Sequence, residues 1–195
     1  KCVIISKNKS VPLGDKVPAA LISVSNTILA LVGLAYYHRK RFSIPIIAVA
    51  GSNGKTTTKE MLAALLSSKY KVLKNEGTQN NIIGLSLSLL RLNHQIEMAV
   101  LELGTNHFGE LKELTRVAAP AVGIITNIGP AHLEFFGDEF GVLKEKWSLI
   151  EELSGPRIAI LNADDSLLKE RLSADTDGAI FSFGIKNKAD VMAKK

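Results

Sequence analysis

From about residue 45 onward, short apolar runs rich in Val and Ile alternate with longer stretches in which apolar residues recur every three or four positions. The short runs predict strands over 46–50, 71–73, 99–102, 122–126, 158–161 and 179–183, and the longer-period stretches predict helices over 57–68, 82–92, 110–118, 139–153 and 166–172. Runs such as Val122-Gly123-Ile124-Ile125 are apolar on both faces, as suits strands covered by helices on both sides of a parallel sheet. Regular alternation of strand and helix then gives an α/β domain of three layers built on a mostly parallel sheet.

Upstream, residues 17–37 hold no charge and run into His38-Arg39-Lys40-Arg41, which together imitate a membrane span. Pro18, Ser23, Ser25, Asn26, Thr27 and Gly33 interrupt that run. It therefore reads as a strand over 20–24, a cap at Ser25-Asn26-Thr27 and a helix over 27–41, with no membrane insertion. Pro45 marks a boundary near residue 44, so residues 1–44 are expected to close a small preceding α/β domain and 45–195 to form the larger one. Neither the Lys1 end nor the Ala-Lys-Lys end reads as a natural terminus of a fold, and the expectation is a fragment whose larger domain is incomplete at its carboxyl-terminal end.

Composition changes this picture little. With 46% apolar and 22% charged residues among 195, the chain can bury a core. The net charge of +5 is scattered, and the one dense basic run, His38 to Arg41, has no aromatic stacking pattern and reads as a solvated helix end. Nucleic acid is set aside as a partner, and an anionic nucleotide is the better use of the charge. A single cysteine, Cys2, excludes an internal disulfide and fits a reducing compartment such as the cytosol.

The strongest chemical signal is Gly51-Ser52-Asn53-Gly54-Lys55-Thr56-Thr57, lying between the predicted strand 46–50 and the helix carrying Met61, Leu62, Leu65 and Leu66. Glycines let successive N–H groups curl toward phosphate oxygens, and the helix start adds positive potential. Lys55 can reach the β- and γ-phosphates, and the Thr56 hydroxyl can hold Mg²⁺. Val49 stands where the longer phosphate-loop pattern has glycine, so the match is to the shorter G-x-x-G-K-T. Glu102 ends a buried strand and faces the same crevice, because open parallel sheets bind ligands at the carboxyl ends of their strands. His132 follows the next strand end and is in reach of it, either as a metal ligand or as a structural residue. Lys144 and Lys146 lie on the helix that follows, where a solvated face is the simpler reading of two lysines.

Taken in order and spacing, the phosphate loop, Asn80-Asn81-Ile82-Ile83-Gly84, Glu102-Leu103-Gly104-Thr105-Asn106-His107-Phe108-Gly109-Glu110, Thr126-Asn127-Ile128 with His132-Leu133-Glu134, and Asn162-Ala163-Asp164-Asp165 resemble the Mur ligases. The resemblance runs from about residue 20 to 195, and Glu102 to His107 is most similar to the branch that adds D-Ala-D-Ala to UDP-N-acetylmuramoyl-tripeptide. It implies a cytoplasmic, ATP- and Mg²⁺-dependent ligase of bacterial cell-wall synthesis, a monomer when complete. The tripeptide carboxylate is phosphorylated, and the amine of D-Ala-D-Ala displaces phosphate to leave an amide. It further implies that Gly51, Ser52, Asn53, Gly54, Lys55, Thr56, Thr57 and Asn127 bind nucleotide, that Thr56 and Glu102 hold one metal and His132 a second, and that Lys146 is a carbamylated lysine aiding that second metal. Asn80, Asn81, Asn106 and His107 would face substrate. The family has three domains, for the UDP portion, for ATP, and for closing over the nucleotide, so residues 1–44 would be the end of the first. Thr78, Ser86 and Ser148 depart from the usual pattern, standing where Asn, Pro and an acidic residue are common. Sister Mur enzymes, folylpolyglutamate-type ligases and a non-catalytic nucleotide module are the alternatives. A switch GTPase is set aside on the expectation that the sequence carries no guanine-reading Asn-Lys-x-Asp, and a transport or helicase ATPase because Glu102 is followed by Leu-Gly rather than a second acid.

Overall fold

The computed structural model describes residues 2–9, 20–173 and 176–193. Strands β1 (Cys2–Ser6) and β2 (Ala20–Val24) pair in parallel as a small separate sheet, followed by helix α1 (Thr27–Arg39). The main chain of elements is β3 (Ile46–Ala50), α2 (Lys55–Ser67), β4 (Val72–Lys74), α3 (Ile82–Leu89), β5 (Met98–Glu102), α4 (Glu110–Ala118) and β6 (Val122–Ile125). It continues through α5 (Leu133–Phe136), α6 (Glu139–Glu151), β7 (Ile158–Asn162), α7 (Ser166–Lys169), β8 (Ala179–Gly184) and β9 (Val191–Met192). Strands β3 to β9 form one seven-stranded sheet in the order β4-β5-β3-β6-β7-β8-β9, with every pairing parallel.

Alternation along the central strands assigns the two faces. Ala48, Ala50, Ala99, Leu101 and Ile125 point to the larger core beneath α3, α4 and α6, while Val49, Val100 and Ile124 point to a smaller cluster under α2, with Ala63, Leu62 and Leu66. These are the three layers expected. Strand β3 lies between β5 and β6, and the chain winds from it first to one side and then to the other. Such a switch leaves a crevice at the strands' carboxyl ends.

Boundaries moved at several places. Helix α2 begins at Lys55, two residues earlier than its apolar period suggests, because Gly54 takes the left-handed conformation (φ 78°) and turns the chain straight into the helix. Helices α3, α6 and α7 end two or three residues sooner than their apolar periods. Strands β1 and β9 and the one-turn α5 had no period long enough to read. Asn26 caps α1 as expected, its side chain accepting from the N–H groups of Ile28 and Leu29. No helix among the described residues is long and apolar enough to cross a membrane, and residues 17–19 of the apolar run lie outside the description.

The basic run at the end of α1 corrects the sequence reading. Arg39 is buried, and its guanidinium donates to the carbonyls of Ala118, Ala119, Phe42 and Ile44. Nε2 of His38 lies 2.9 Å from the carbonyl of Leu92. Two members of this run are structural ties, and burial lowers the Arg39 pKa without removing its charge.

Candidate functional site

The turn from β3 into α2 is shaped by what its glycines must avoid. A Cβ on Gly51 (φ 140°) would sit 2.0 Å from Oγ1 of Thr126, so no larger residue fits there. The loop is braced from the next strand end. Oδ1 of Asn127 accepts from the Asn53 N–H at 2.9 Å, the Asn127 carbonyl accepts from Ser52 N–H at 3.0 Å, and Thr126 donates to the Asn53 carbonyl at 2.6 Å. Asn127 thus holds the backbone of the loop with both its side chain and its carbonyl. Ser52 closes the brace by exchanging hydrogen bonds with Gly129 at 3.0 Å in both directions.

Lys55 folds back over the loop, donating to the carbonyls of Gly51 at 2.9 Å and Ser52 at 3.0 Å. Burial lowers its pKa and the nearby Glu102 charge partly restores it. Thr56 presents its hydroxyl to Oε2 of Glu102 at 2.7 Å, and Asn80 donates its side-chain amide to Oε1 of the same carboxylate at 2.7 Å. Glu102 is nearly inaccessible, at 1% exposure, and each of its carboxylate oxygens is met by one of these donors. A hydroxyl and a carboxylate side by side beneath a phosphate loop are hard oxygen donors of the kind that hold Mg²⁺ together with phosphate oxygens. The described residues contain no cluster of three or more His, Cys, Asp or Glu side chains, so a cation here would complete its shell from a ligand's oxygens and water.

Gly51, Ser52, Lys55, Asn80, Asn81, Asn106, His132 and Lys146 line one cleft of about 310 Å³, along with Glu110 and Glu113. Lys146 corrects the reading of a solvated helix face: it is 2% exposed, its neighbour Lys144 is the exposed one, and its pKa falls to about 8. Desolvation is the main cause, repulsion from Lys55 adds to it, and the Glu145 and Glu110 carboxylates oppose it. His132 reaches the cleft from a left-handed conformation (φ 52°) at the start of α5.

Other expected residues stand apart from the cleft wall. Asn53, Gly54, Thr56, Thr57, Glu102 and Asn127 lie behind or beside it, Thr57 being exposed on α2. His107 is outside the lining, packed at a tilt against Phe135 with a centroid distance of 4.1 Å, and its Nδ1 is 3.2 Å from Glu110. Sequence reasoning missed Glu145, which is buried and accepts from Thr105 Oγ1 and from the N–H groups of Gly109 and Leu111. It fastens the turn carrying Asn106 to α6. The one available signal was a carboxylate amid the apolar period of α6.

The GTPase exclusion also needs correcting, because Asn187-Lys188-Ala189-Asp190 does have the letters Asn-Lys-x-Asp. Its carboxylate is already used. Asp190 accepts from Ser182 N–H at 2.8 Å and Oγ at 2.7 Å, Asn187 meets Asp164 and Lys169, and neither lines the cleft. The switch reading is set aside on those contacts rather than on the motif's absence.

Comparison with known proteins places this geometry. Residues 49–195 match the family model described as the Mur ligase middle domain. The UDP-N-acetylmuramoyl-tripeptide--D-alanyl-D-alanine ligase of Synechocystis sp. is 37% identical over 174 residues, covering 89% of this chain and 38% of that protein. Among solved structures, MurF from Acinetobacter baumannii superposes with a TM-score of 0.84 at 37% identity, over 90% of this chain and 38% of that one. MurF from Thermotoga maritima in complex with ADP gives a TM-score of 0.80 at 33% identity, over 92% and 40%. The chain thus spans about two-fifths of the length of the relatives it matches.

Proposed function

The chain belongs to the Mur ligase family, and we propose that it supplies the ATP-gripping core of a cytoplasmic, monomeric enzyme that joins UDP-N-acetylmuramoyl-tripeptide to D-Ala-D-Ala in peptidoglycan precursor synthesis. The observation that carries this reading is the convergence of Lys55, Lys146, His132 and the Asn80–Asn81 turn on one cleft, with the Thr56–Glu102 pair directly behind it. Relatives bearing that ligase name, and a relative solved with ADP, support it.

In this reading the braced loop amides of residues 51–54 and the Lys55 ammonium hold the phosphates of ATP, and Lys55 exchanges its contacts to the Gly51 and Ser52 carbonyls for phosphate oxygens. Thr56 and Glu102 would hold Mg²⁺, which when bound neutralises charge on the transferred phosphoryl group. The terminal carboxylate of the tripeptide attacks the γ-phosphorus, ADP leaves, and an acyl phosphate forms. The amine of D-Ala-D-Ala then attacks the acyl carbon, phosphate departs, and the amine loses its proton. Asn80, Asn81 and Asn106 offer amides along the cleft to orient the carboxylate donor. Lys146 and His132 complete the wall, and a carbamate on Lys146 in the cleft that His132 also lines would suit a second cation. A Lys146 amine with a pKa of about 8 is unprotonated often enough near neutral pH to react with carbon dioxide.

The test is ADP release by the full-length protein. Release should require both the tripeptide substrate and D-Ala-D-Ala, yield the amide by mass, and fall roughly 10²–10³-fold in Lys55→Ala. Release that ignores both substrates would instead favour a nucleotide-binding module.

A further inference from the structure

One turn beyond Thr56 on α2, Lys59 is wholly buried and is not part of the lining of the candidate cleft. Its ammonium donates to the Asn75 carbonyl at 2.8 Å and the Gly77 carbonyl at 3.1 Å, and it is ion-paired with Oε1 of Glu60 at 3.1 Å. A buried ammonium is costly to desolvate, and an apolar side chain of the same length would fill the space more cheaply. Something other than packing is served by it.

The loop it grips begins where β4 stops. Asn75, also fully buried, continues the β4–β5 ladder with its side chain: Oδ1 accepts from the Glu102 N–H at 2.9 Å, and Nδ2 donates to the Glu102 carbonyl at 2.9 Å and to the Gln79 carbonyl at 2.8 Å. At the loop's other end, Asn80 donates to Oε1 of Glu102 while its carbonyl accepts from Gly104 N–H at 2.9 Å. Gly104 leaves no room for movement, since a Cβ there would meet the Asn80 side chain at 2.6 Å. Residues 75–80 therefore hold Glu102 by its backbone and its carboxylate together. Lys59 ties that loop to the helix that carries Thr56, whose hydroxyl meets the remaining carboxylate oxygen. The contacts close into a ring: Thr56, Glu102, Asn80, the loop, Lys59, and back along α2.

We propose that Lys59 is a positioning residue that fixes the Glu102 carboxylate against the Thr56 hydroxyl and so sets how strongly a divalent cation tightens nucleotide binding. The proposal rests on the reading of the cleft as an ATP–Mg²⁺ site. Nucleotide held by the loop amides and Lys55 alone does not depend on the ring, whereas nucleotide held through the cation does.

The experiment titrates the full-length protein with ADP, once with Mg²⁺ and once with EDTA. In Lys59→Met, affinity in EDTA should stay within about twofold of wild type, while the tightening given by Mg²⁺ should fall at least about fivefold. Equal weakening under both conditions would mark Lys59 as a merely structural clamp, and no change in either would also overturn the proposal. A wild-type protein that binds no ADP would overturn the nucleotide reading instead. Should Lys59→Met fail to fold by circular dichroism, Gly77→Ala decides the matter. Its backbone sits at φ 48° with nothing within 4 Å of an added Cβ, so it disturbs the gripped carbonyl and leaves Lys59 in place. The same split on a smaller scale would support the proposal, and wild-type behaviour would sink it.

Discussion

At the scale of single residues, Lys146 shows how a charged side chain can lie on the buried stripe of a helix. Two residues apart on α6, Lys144 and Lys146 point to nearly opposite sides, and Lys146 shares its stripe with the buried Val142, Leu149 and Ile150, so Lys146 is buried against the cleft while Lys144 is exposed. The stripe is readable from the spacing, but the cleft that α4 and the phosphate loop make beside it is a tertiary fact with no local signature. The phosphate loop was legible for the opposite reason. Its glycines, lysine and threonine do their work within seven consecutive residues, so their chemistry is written locally. Burial of Lys146 also has a thermodynamic consequence. An ordinary lysine in the unfolded chain titrates at 10.5 and the folded one at about 8, so between those values the unfolded state binds the extra proton and stability rises with pH. Below pH 8 both states are protonated, and the buried ammonium costs on the order of 3 kcal/mol, an upper figure. Lys146→Met should therefore stabilise the chain by about 1–3 kcal/mol at pH 7, with the gap to wild type narrowing toward pH 10. Denaturant melts of both proteins in carbon-dioxide-free buffer measure this. A gap that stayed constant with pH would show that the charge is not the cause.

At the scale of elements, helix existence followed the apolar period well, and helix ends followed caps that the period does not contain. Asn81, Asp138 and Asp165 each accept from backbone N–H groups at the starts of α3, α6 and α7. Asp165 also accepts from Ile128 N–H at 2.7 Å, so one carboxylate both starts a helix and fixes the loop leading to His132. Within α3 a different residue is out of place. The Ser86 hydroxyl is buried and has no hydrogen-bond partner among the described residues, while its neighbour two positions on, Ser88, donates to the Gly84 carbonyl at 2.8 Å. An unmade hydrogen bond in the interior costs free energy that alanine would not incur, and alanine is the better helix former. Ser86→Ala should raise stability by about 1 kcal/mol, whereas Ser88→Ala should lower it by a similar amount. Opposite shifts in the midpoint of urea unfolding are the expected result. Loss of stability in both would mean that water or a rotated hydroxyl satisfies Ser86.

At the scale of the whole molecule, strand order was not legible, because nothing in the run of residues 46–50 says that it will lie between 98–102 and 122–125 rather than beside 72–74. That arrangement follows from crossover geometry and the switch at β3, and it is what brings Glu102 and Asn127 to the two sides of one loop. The docking of α1 was equally hidden. Pro45 suggested a boundary at residue 44, but α1 packs on α3 and α4, and Ala35 and Phe42 belong to the same buried cluster as Ile46, Leu85 and Leu89. Arg39 supplies donors to the last carbonyls of α4, and His38 meets the Leu92 carbonyl. We therefore propose that the cooperative folding unit starts at Thr27, with β1 and β2 outside it. A chain of residues 27–195 should melt close to the full 195 residues. A chain of 45–195 would leave those carbonyls without their donors and uncover the apolar backs of α3 and α4, at a cost of roughly 3 kcal/mol or more. For a protein of this size that corresponds to a melting temperature lower by roughly 6–12 °C. Equal melting of the two shortened chains would place α1 outside the folding unit, and the boundary would return to Pro45.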